Sequence, residues 1–423
     1  MKQYGFYYLS GFFNIKKTNT RNFFWRSIQI GSRQGTTFFI LVISAKLLGA
    51  REFGIYNYTI AITFFFTLLA DFGISRAVAK YVVQYKTKNP HKVELLYFNS
   101  AVIMLMLAVF FGALFLLFAK TIVGDNYRYI YYLLPVFIFL PLASLFDGFY
   151  SGLMQFKKLS LISLTTGIIS VIATYFLISK FKMEGAFFSL DFYYVVTFIF
   201  FAASFKSFKP KFDRDIINEV GRYSAIIGIS ALGHFLYTKG ITYILGQYNF
   251  FSQVGYYEII DKVFIMLSFP FIIYGQIIAP KITEDITLGR NNVIINKYKK
   301  VVYFSIPAAI IISIALWQVL PFFIKIFLPK YYTPDFLKMF DLLLLHLPFI
   351  LMSGIIAQPF IIATGKAKYS LLTIPFGILN IVLGVLFIEM FGFIGVIYST
   401  IFISISNKLL TFSLVYNSLK PQQ

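Results

Sequence analysis

Long apolar runs separated by short basic stretches make up nearly all of this chain. Runs of bilayer-crossing length fall at 28–50, 56–79, 96–118, 130–153, 160–180 and 185–204. Six more fall at 223–246, 255–279, 301–323, 336–362, 369–390 and 392–414. Each is near the roughly 20 residues that a helix needs to cross about 30 Å of hydrocarbon. The runs are continuously apolar and do not alternate, which argues against a transmembrane β-barrel. A segment alone in lipid satisfies all its backbone N–H and C=O groups only as a helix. The pattern therefore predicts an all-α integral membrane protein with twelve transmembrane helices.

The polar positions set direction. Alternate connections differ in Lys and Arg content. One set comprises the N-terminus, 76–95, 153–160, 204–222, 280–300, 365–369 and the chain from Lys408 onward, and holds 26 of the 38 basic residues. The opposite set holds nine. Basic loops stay on the cytoplasmic side, so both termini are expected there. Residues 1–27 mix aromatics with Lys16, Lys17, Arg21 and Arg26 and lack an apolar core followed by a small-residue cleavage site. They read as an interfacial segment on an anionic leaflet. A first six-helix lobe then occupies 28–204, a basic linker 205–222, a second lobe 223–414 and a cytoplasmic tail 415–423.

Internal repetition supports that division. Leu48-Gly49-Ala50-Arg51-Glu52-Phe53-Gly54-Ile55-Tyr56 returns as Leu245-Gly246 followed, after a longer middle, by Gly255-Tyr256-Tyr257. Phe156-Lys157-Lys158-Leu159-Ser160-Leu161 resembles Lys366-Ala367-Lys368-Tyr369-Ser370-Leu371, and Lys182-Met183-Glu184-Gly185-Ala186 resembles Gly392-Phe393-Ile394-Gly395-Val396. Six helices per half is an even number, so the pseudo-symmetric lobes run in the same direction. Membrane proteins of this build place substrate between the repeats.

Composition narrows the function classes. With 58% hydrophobic and only 13% charged residues, the chain holds more apolar surface than a soluble core can bury. The basic connections explain most of the +21 charge, so nucleic acid is not expected as a partner. Absence of cysteine removes disulfides and thiolate metal sites. The sequence carries no nucleotide-binding loop, metal-ligand cluster or nucleophile elbow. No cofactor, no metal and no enzymatic activity are expected, and any work must come from a gradient.

Charges inside the runs are the candidate chemistry. Arg33, Lys239 and Lys262 lie within spans one, seven and eight. A cation at a helix centre costs roughly 2.5–3.5 kcal/mol on insertion scales, so it faces a cavity or a partner. One reading is a wet pocket whose cations receive an anionic substrate. The other is simple pairing: Glu258 and Asp261, on one helix face at i, i+3, can meet Lys239 or Lys262. Asp147, Asp191 and Asp341 have three open readings: ion coupling, neutralising Arg33, or an interfacial position. Asp71 and Arg76 read as a capped, solvated helix end. His234 and His346 are isolated, with no second ligand at metal spacing. Pro135, Pro141, Pro270, Pro307, Pro348 and Pro375 fall inside spans, where each frees a carbonyl and kinks its helix.

The chain resembles the Wzx-type polysaccharide flippases, within the superfamily that includes the multidrug and toxic compound extruders. The resemblance is carried by Leu48-Gly49…Phe53-Gly54-Ile55-Tyr56, Asp71-Phe72-Gly73…Arg76 and Leu245-Gly246…Val254-Gly255-Tyr256-Tyr257. Pro280-Lys281-Ile282 and Ala363-Thr364-Gly365-Lys366 extend it over nearly the whole chain. It implies a MATE-like, two-lobed fold that opens alternately to each side of a bacterial cytoplasmic membrane. It also implies an undecaprenyl-diphosphate-linked oligosaccharide as cargo and a cationic cavity, which suits Arg33, Lys239 and Lys262 as contacts to the anionic head. Polysaccharide polymerase or chain-length proteins are the partners it suggests besides the bilayer. Two other readings stay open. A cation-coupled drug antiporter of the same fold would use the acids. A membrane polysaccharide polymerase or glycosyltransferase is disfavoured by external connections too short to carry catalytic groups.

Overall fold

The computed structural model describes residues 17–205, 209–364 and 367–419. Lys16 and the rest of 1–16, 206–208 of the linker, Gly365 and Lys366, and 420–423 of the tail lie outside the described residues. Thirteen α-helices follow in chain order among those described. The first half holds α1 (Lys17–Leu48), α2 (Ala50–Asp71), α3 (Ile74–Lys88), α4 (His91–Val123), α5 (Leu134–Gly152) and α6 (Phe156–Ser204). The second holds α7 (Arg214–Gln247), α8 (Phe251–Thr287), α9 (Asn291–Phe327), α10 (Pro334–Leu344), α11 (Leu347–Ala363), α12 (Thr373–Phe391) and α13 (Phe393–Leu419). Short 3-10 turns lead into α5, α10 and α12.

Eight helical stretches among the described residues are long and apolar enough to cross a membrane. Three of them, Ala50–Lys88, His91–Gly152 and Pro334–Ile361, each carry two helices, and another, Phe156–Ser204, reverses on itself. The expected spans one and seven are not among the eight. Their helices α1 and α7 carry Gln29, Arg33 and Gln34, and His234 and Lys239, in mid-length. These two least apolar long helices are among those that border the space between the halves. Side chains such as Met106, Leu117, Phe304, Phe322 and Met390 are exposed all round the bundle, as a lipid-facing surface requires.

Two expected spans are broken. Span two ends at Asp71, because Phe72 (φ 39°) and Gly73 (φ 82°) are both left-handed and the chain restarts as α3. Span ten divides into α10 and α11. Thr333 caps α10 through its Oγ1, 3.2 Å from the Phe336 N–H. Pro348 then sits in the first turn of α11, where a missing N–H costs nothing. Pro135 and Pro375 occupy first turns in the same way, which corrects their placement as kinks. Pro141 and Pro307 are interior.

The repeated motifs recur as geometry. In the first half α6 turns back at Lys182 (φ 51°, ψ −120°), and the second half makes the same turn at Gly392 (φ 62°, ψ −150°). Three residues later, a Cβ added to Gly185 would lie 2.1 Å from the Leu177 carbonyl oxygen. On Gly395 it would lie 2.0 Å from the Phe387 carbonyl oxygen. Lys182 therefore holds a backbone conformation that only glycine adopts freely, at a cost of about 1–3 kcal/mol.

The longer repeat builds the contact between the halves. A Cβ on Gly54 would stand 1.6 Å from the Phe251 carbonyl oxygen, and one on Gly255 would stand 2.4 Å from the Ala50 carbonyl oxygen. Each glycine of the pattern admits the first turn of the other half's helix, so α2 and α8 cross backbone to backbone. Phe53, Tyr56, Tyr58, Phe251, Tyr256 and Tyr331 are buried around that crossing. The Tyr331 hydroxyl donates to the Ala45 carbonyl of α1 at 3.2 Å. The Tyr58 hydroxyl and Gln247 Nε2 both donate to the Ile122 carbonyl, at 3.1 and 2.7 Å. This end, marked by Gly49, is sealed. At the far end a separate cluster joins α3, α4, α5 and the end of α6 to Ile216 and Val220 of α7.

Candidate functional site

Below the seal lies a cavity of about 310 Å³ bordered by α1, α2, α6, α7 and α8. Its lining combines aromatic residues, Tyr56, Phe64, Tyr193, Tyr194 and Phe235, with polar ones, Thr37, Asn57, Lys239, Glu258, Asp261 and Lys262. Phe64 and Tyr194 meet edge to face with centroids 6.4 Å apart. An adjoining apolar space of about 290 Å³ shares Ala61, Phe235 and Lys239 with it.

The polar lining is strongly organised. Lys239 Nζ donates to both oxygens of Glu258, at 2.9 and 2.8 Å, tying α7 to α8. Thr242, nearly one turn further along α7, donates its hydroxyl to Glu258 Oε1 at 2.7 Å. Glu258 is thus satisfied by a bidentate charged contact and a hydroxyl, the arrangement that makes a buried carboxylate tolerable. Asp261 lies on the same face and is bonded to neither lysine. Lys262 extends from α8 to α1, donating to Thr37 Oγ1 at 2.8 Å and to Gln34 Oε1 at 3.3 Å. It makes no ion pair among the described residues. The cavity therefore holds two bases and two acids, and its formal charges cancel.

The remaining candidates lie elsewhere. Arg33 Nη2 is 3.3 Å from Asp147 Oδ1, and Gln29 Nε2 donates to that same oxygen at 2.7 Å. Arg26 Nη1 donates to Gln29 Oε1 at 2.7 Å, which completes a polar string between α1 and α5. Arg33 is not part of the cavity lining; it neighbours Tyr193 and Tyr194 from behind. Asp191, on the returning arm of α6, has a buried Oδ1 with no hydrogen-bond partner, close to Tyr56. Asp341 is exposed on α10 and accepts from Trp317 Nε1 at 3.1 Å, so of its three readings the interfacial one matches its position.

Lys408, counted with the cytoplasmic C-terminus in the sequence, lies within α13, which runs on to Leu419, and is half-buried there. Its Nζ lies 5.7 Å from the Tyr237 ring centroid. A legible signal existed: Ser404, Asn407, Lys408 and Thr411 follow i, i+3, i+4, i+7 spacing, a polar stripe on a membrane helix. Ser404, Asn407 and Thr411 of that stripe are buried.

Two matched helical halves, crossing at paired glycines around a mixed polar and aromatic cavity, define a multi-pass all-helical integral membrane protein. Within that class the chain belongs to the polysaccharide biosynthesis protein family, whose sequence profile matches residues 19–284. It is 25% identical over 400 residues to an uncharacterised membrane protein of Methanocaldococcus jannaschii, covering 88% of this chain and 92% of that one. In fold it is similar to a multidrug resistance MATE family transporter solved in an inward-facing conformation. The TM-score there is 0.79 at 12% identity, over 93% of this chain and 98% of the other. A eukaryotic MATE transporter matches with a TM-score of 0.67 at 11% identity, over 94% and 95% of the two chains.

Proposed function

We propose that the protein is a flippase that moves a lipid-linked oligosaccharide from the inner to the outer leaflet of the cytoplasmic membrane by alternating access. The observation that carries this is the cavity between the two halves, closed at the Gly49 end and lined by rings beside hydrogen-bonding groups. Aromatic faces suit sugar rings, and Thr37, Asn57, Asp261 and Lys262 suit their hydroxyls. The distribution of Lys and Arg favours the Gly49 end outside and both termini inside. The cavity then faces the side on which lipid-linked sugars are assembled.

Of the three basic candidates, Lys262 is best placed to meet cargo, since it bridges α8 and α1 without a carboxylate partner. Lys239 reaches the cavity with its charge committed to Glu258, and Arg33 is committed to Asp147 behind the wall. In this reading these two pairs hold helices in place. Asp191, a carboxylate without a partner, is our candidate for the coupling ion or proton, and it is also the feature that favours the second reading, a cation-coupled antiporter.

The test is reconstitution. In proteoliposomes carrying a fluorescent polyprenyl-diphosphate trisaccharide, the protein should make the label accessible on both leaflets faster than protein-free vesicles do. A rate equal to that of empty vesicles, together with proton-driven efflux of cationic dyes, would replace the flippase with the antiporter.

A further inference from the structure

Away from the cavity, the start of α1 and the connection from α5 to α6 enclose a second pocket, of about 550 Å³, formed by the first half alone. Arg21, Asn22 and Trp25 of α1 line it together with Gln155, Lys157 and Lys158. Contacts between α1 and the connection fix its shape. Lys157 Nζ stands 5.8 Å from the Trp25 ring centroid, and the Arg26 guanidinium carbon stands 5.4 Å from that of Phe156. Arg26 Nη1 also donates to the Ser151 hydroxyl at 3.3 Å. Lys158 Nζ donates to the Tyr150 hydroxyl at 2.9 Å and to the Ser204 carbonyl, which leaves one ammonium N–H uncommitted.

No acid balances these cations. The sequence holds no Asp or Glu from Met1 to Arg51, nor from Gly148 to Met183, the two stretches that build the pocket. Among the described residues Arg21, Lys157 and Lys158 form no ion pair. The pocket lies at the end of the bundle that the Lys and Arg distribution favours for the cytoplasmic side, and Trp25 suits the headgroup level. Two apolar grooves continue from it. One, of about 400 Å³, shares Lys158 and Leu161 with the pocket and passes between the arms of α6 over Ile162, Ile199 and Phe200. The other, of about 370 Å³, runs between α1 and α6 along Gly35, Thr36, Phe39, Leu164, Ile168 and Ile172. From Leu164 to Ile172 it follows α6 for about 12 Å. Thr36 and Gly167 bring the two helices together there, since a Cβ on Gly167 would lie 2.1 Å from Thr36 Oγ1. Phe39, Ile168 and Ile172 are exposed beside the groove, as lipid contacts require.

We propose that the pocket and its two grooves bind one anionic diacyl phospholipid of the cytoplasmic leaflet. Its phosphate sits among Arg21, Lys157 and Lys158, and its acyl chains follow α6. Basic pockets between membrane helices on the cytoplasmic side suit anionic headgroups. A zwitterionic headgroup brings its own ammonium into a cluster that has no acid to receive it. Paired grooves match two chains, whereas a polyprenyl lipid has only one. The site is separate from the cavity between the halves and does not depend on what the protein moves. Because α1 also accepts Lys262 at Gln34 and Thr37, the bound lipid holds a helix that borders that cavity.

The chain has two tryptophans and so carries its own reporter. In Trp317→Phe only Trp25 fluoresces, beside the pocket; in Trp25→Phe only Trp317 does, on an exposed face of α9. Each full-length variant is placed in phosphatidylcholine vesicles with a minor share of phosphatidylglycerol brominated near the headgroup end of its chains, and quenching is read against unbrominated vesicles. Trp25 should report the anionic lipid enriched about tenfold or more around it, and Trp317 only its bulk share. Arg21→Gln and Lys157→Gln should each cut the enrichment about fivefold; both side chains are exposed, so the fold should survive. Lys86→Gln with Lys88→Gln, an equal loss of charge elsewhere on the same side, should leave it unchanged. Equal quenching of Trp25 by brominated phosphatidylcholine overturns the site. Enrichment that survives Arg21→Gln with Lys157→Gln, or that falls as far with Lys86→Gln and Lys88→Gln, overturns it too. Displacement by a polyprenyl-diphosphate sugar at a share where unlabelled phosphatidylglycerol has no effect would replace the phospholipid with cargo.

Discussion

At the Gly49 end, the halves meet through Gly54 and Gly255 against each other's carbonyls, with Phe53, Tyr56, Tyr256 and Tyr331 filling the space between. Toward the Arg76 end, Arg76 and His234 are exposed and Lys408 is half-buried. Between these regions sit Lys239 and Glu258, a pair fully bonded within the second half. Apolar close packing needs no ligand to be stable, so the Gly49 end can close on an empty protein. The end around Arg76 differs: its two permanent cations, Arg76 and Lys408, form no ion pair among the described residues.

Ways to break this contrast can be ranked by size. The largest effect is expected from Lys239→Met, which leaves Glu258 buried without its cation. Thermal unfolding of the purified protein should show a loss of about 3–5 kcal/mol, largely recovered in Lys239→Met/Glu258→Met. If the single and double variants melt alike, the pair is not the tie between α7 and α8 described above. Next comes Gly54→Val, whose added carbons have no room beside the Phe251 carbonyl. Overpacking of this kind costs about 1–3 kcal/mol, and here it should appear as opening of the Gly49 end. Unchanged melting and unchanged access from that side would count against the glycine crossing as the seal.

Smaller effects sharpen the comparison. Gly392→Ala should destabilise by about 1–3 kcal/mol, because ψ −150° at positive φ is glycine territory, whereas Lys182→Gly at the equivalent turn should stabilise. Opposite signs are the informative outcome, read from midpoints of thermal unfolding; equal signs would mean that the two turns are not equivalent. Smallest is Thr37→Val, which removes one acceptor from Lys262 and should cost about 0.5–1.5 kcal/mol. Flipping, rather than melting, is the sensitive measure there, and an unaltered flipping rate would take Lys262 out of the cargo path.

Much of the fold could be read from the chain because lipid imposes it. The apolar runs found the helices, and the repeated L-G…G-x-Y pattern divided the chain into halves; its glycines sit at the crossing of α2 and α8. The breaks at Phe72-Gly73 and Leu345-His346 were hidden, since apolarity does not report backbone handedness or a hydroxyl cap. At the site, residue type identified which charges were unusual but not which were neutralised. Lys239 and Glu258 are nineteen residues apart, and Arg33 meets Asp147 only because α1 packs near α5. Lys408 was counted with the C-terminal connection although it falls inside the 392–414 run, and α13 continues eleven residues beyond it to Leu419.

The natural absence of cysteine makes the decisive measurement simple. A single Asn57→Cys in the cavity wall can be challenged with a membrane-impermeant maleimide from each face of oriented proteoliposomes. Labelling from the Arg76 side alone is expected, with labelling from the Gly49 side appearing once Gly54→Val is added. Free labelling from the Gly49 side in the unaltered background, or none from either side, would contradict a cavity sealed at one end and open to cargo at the other.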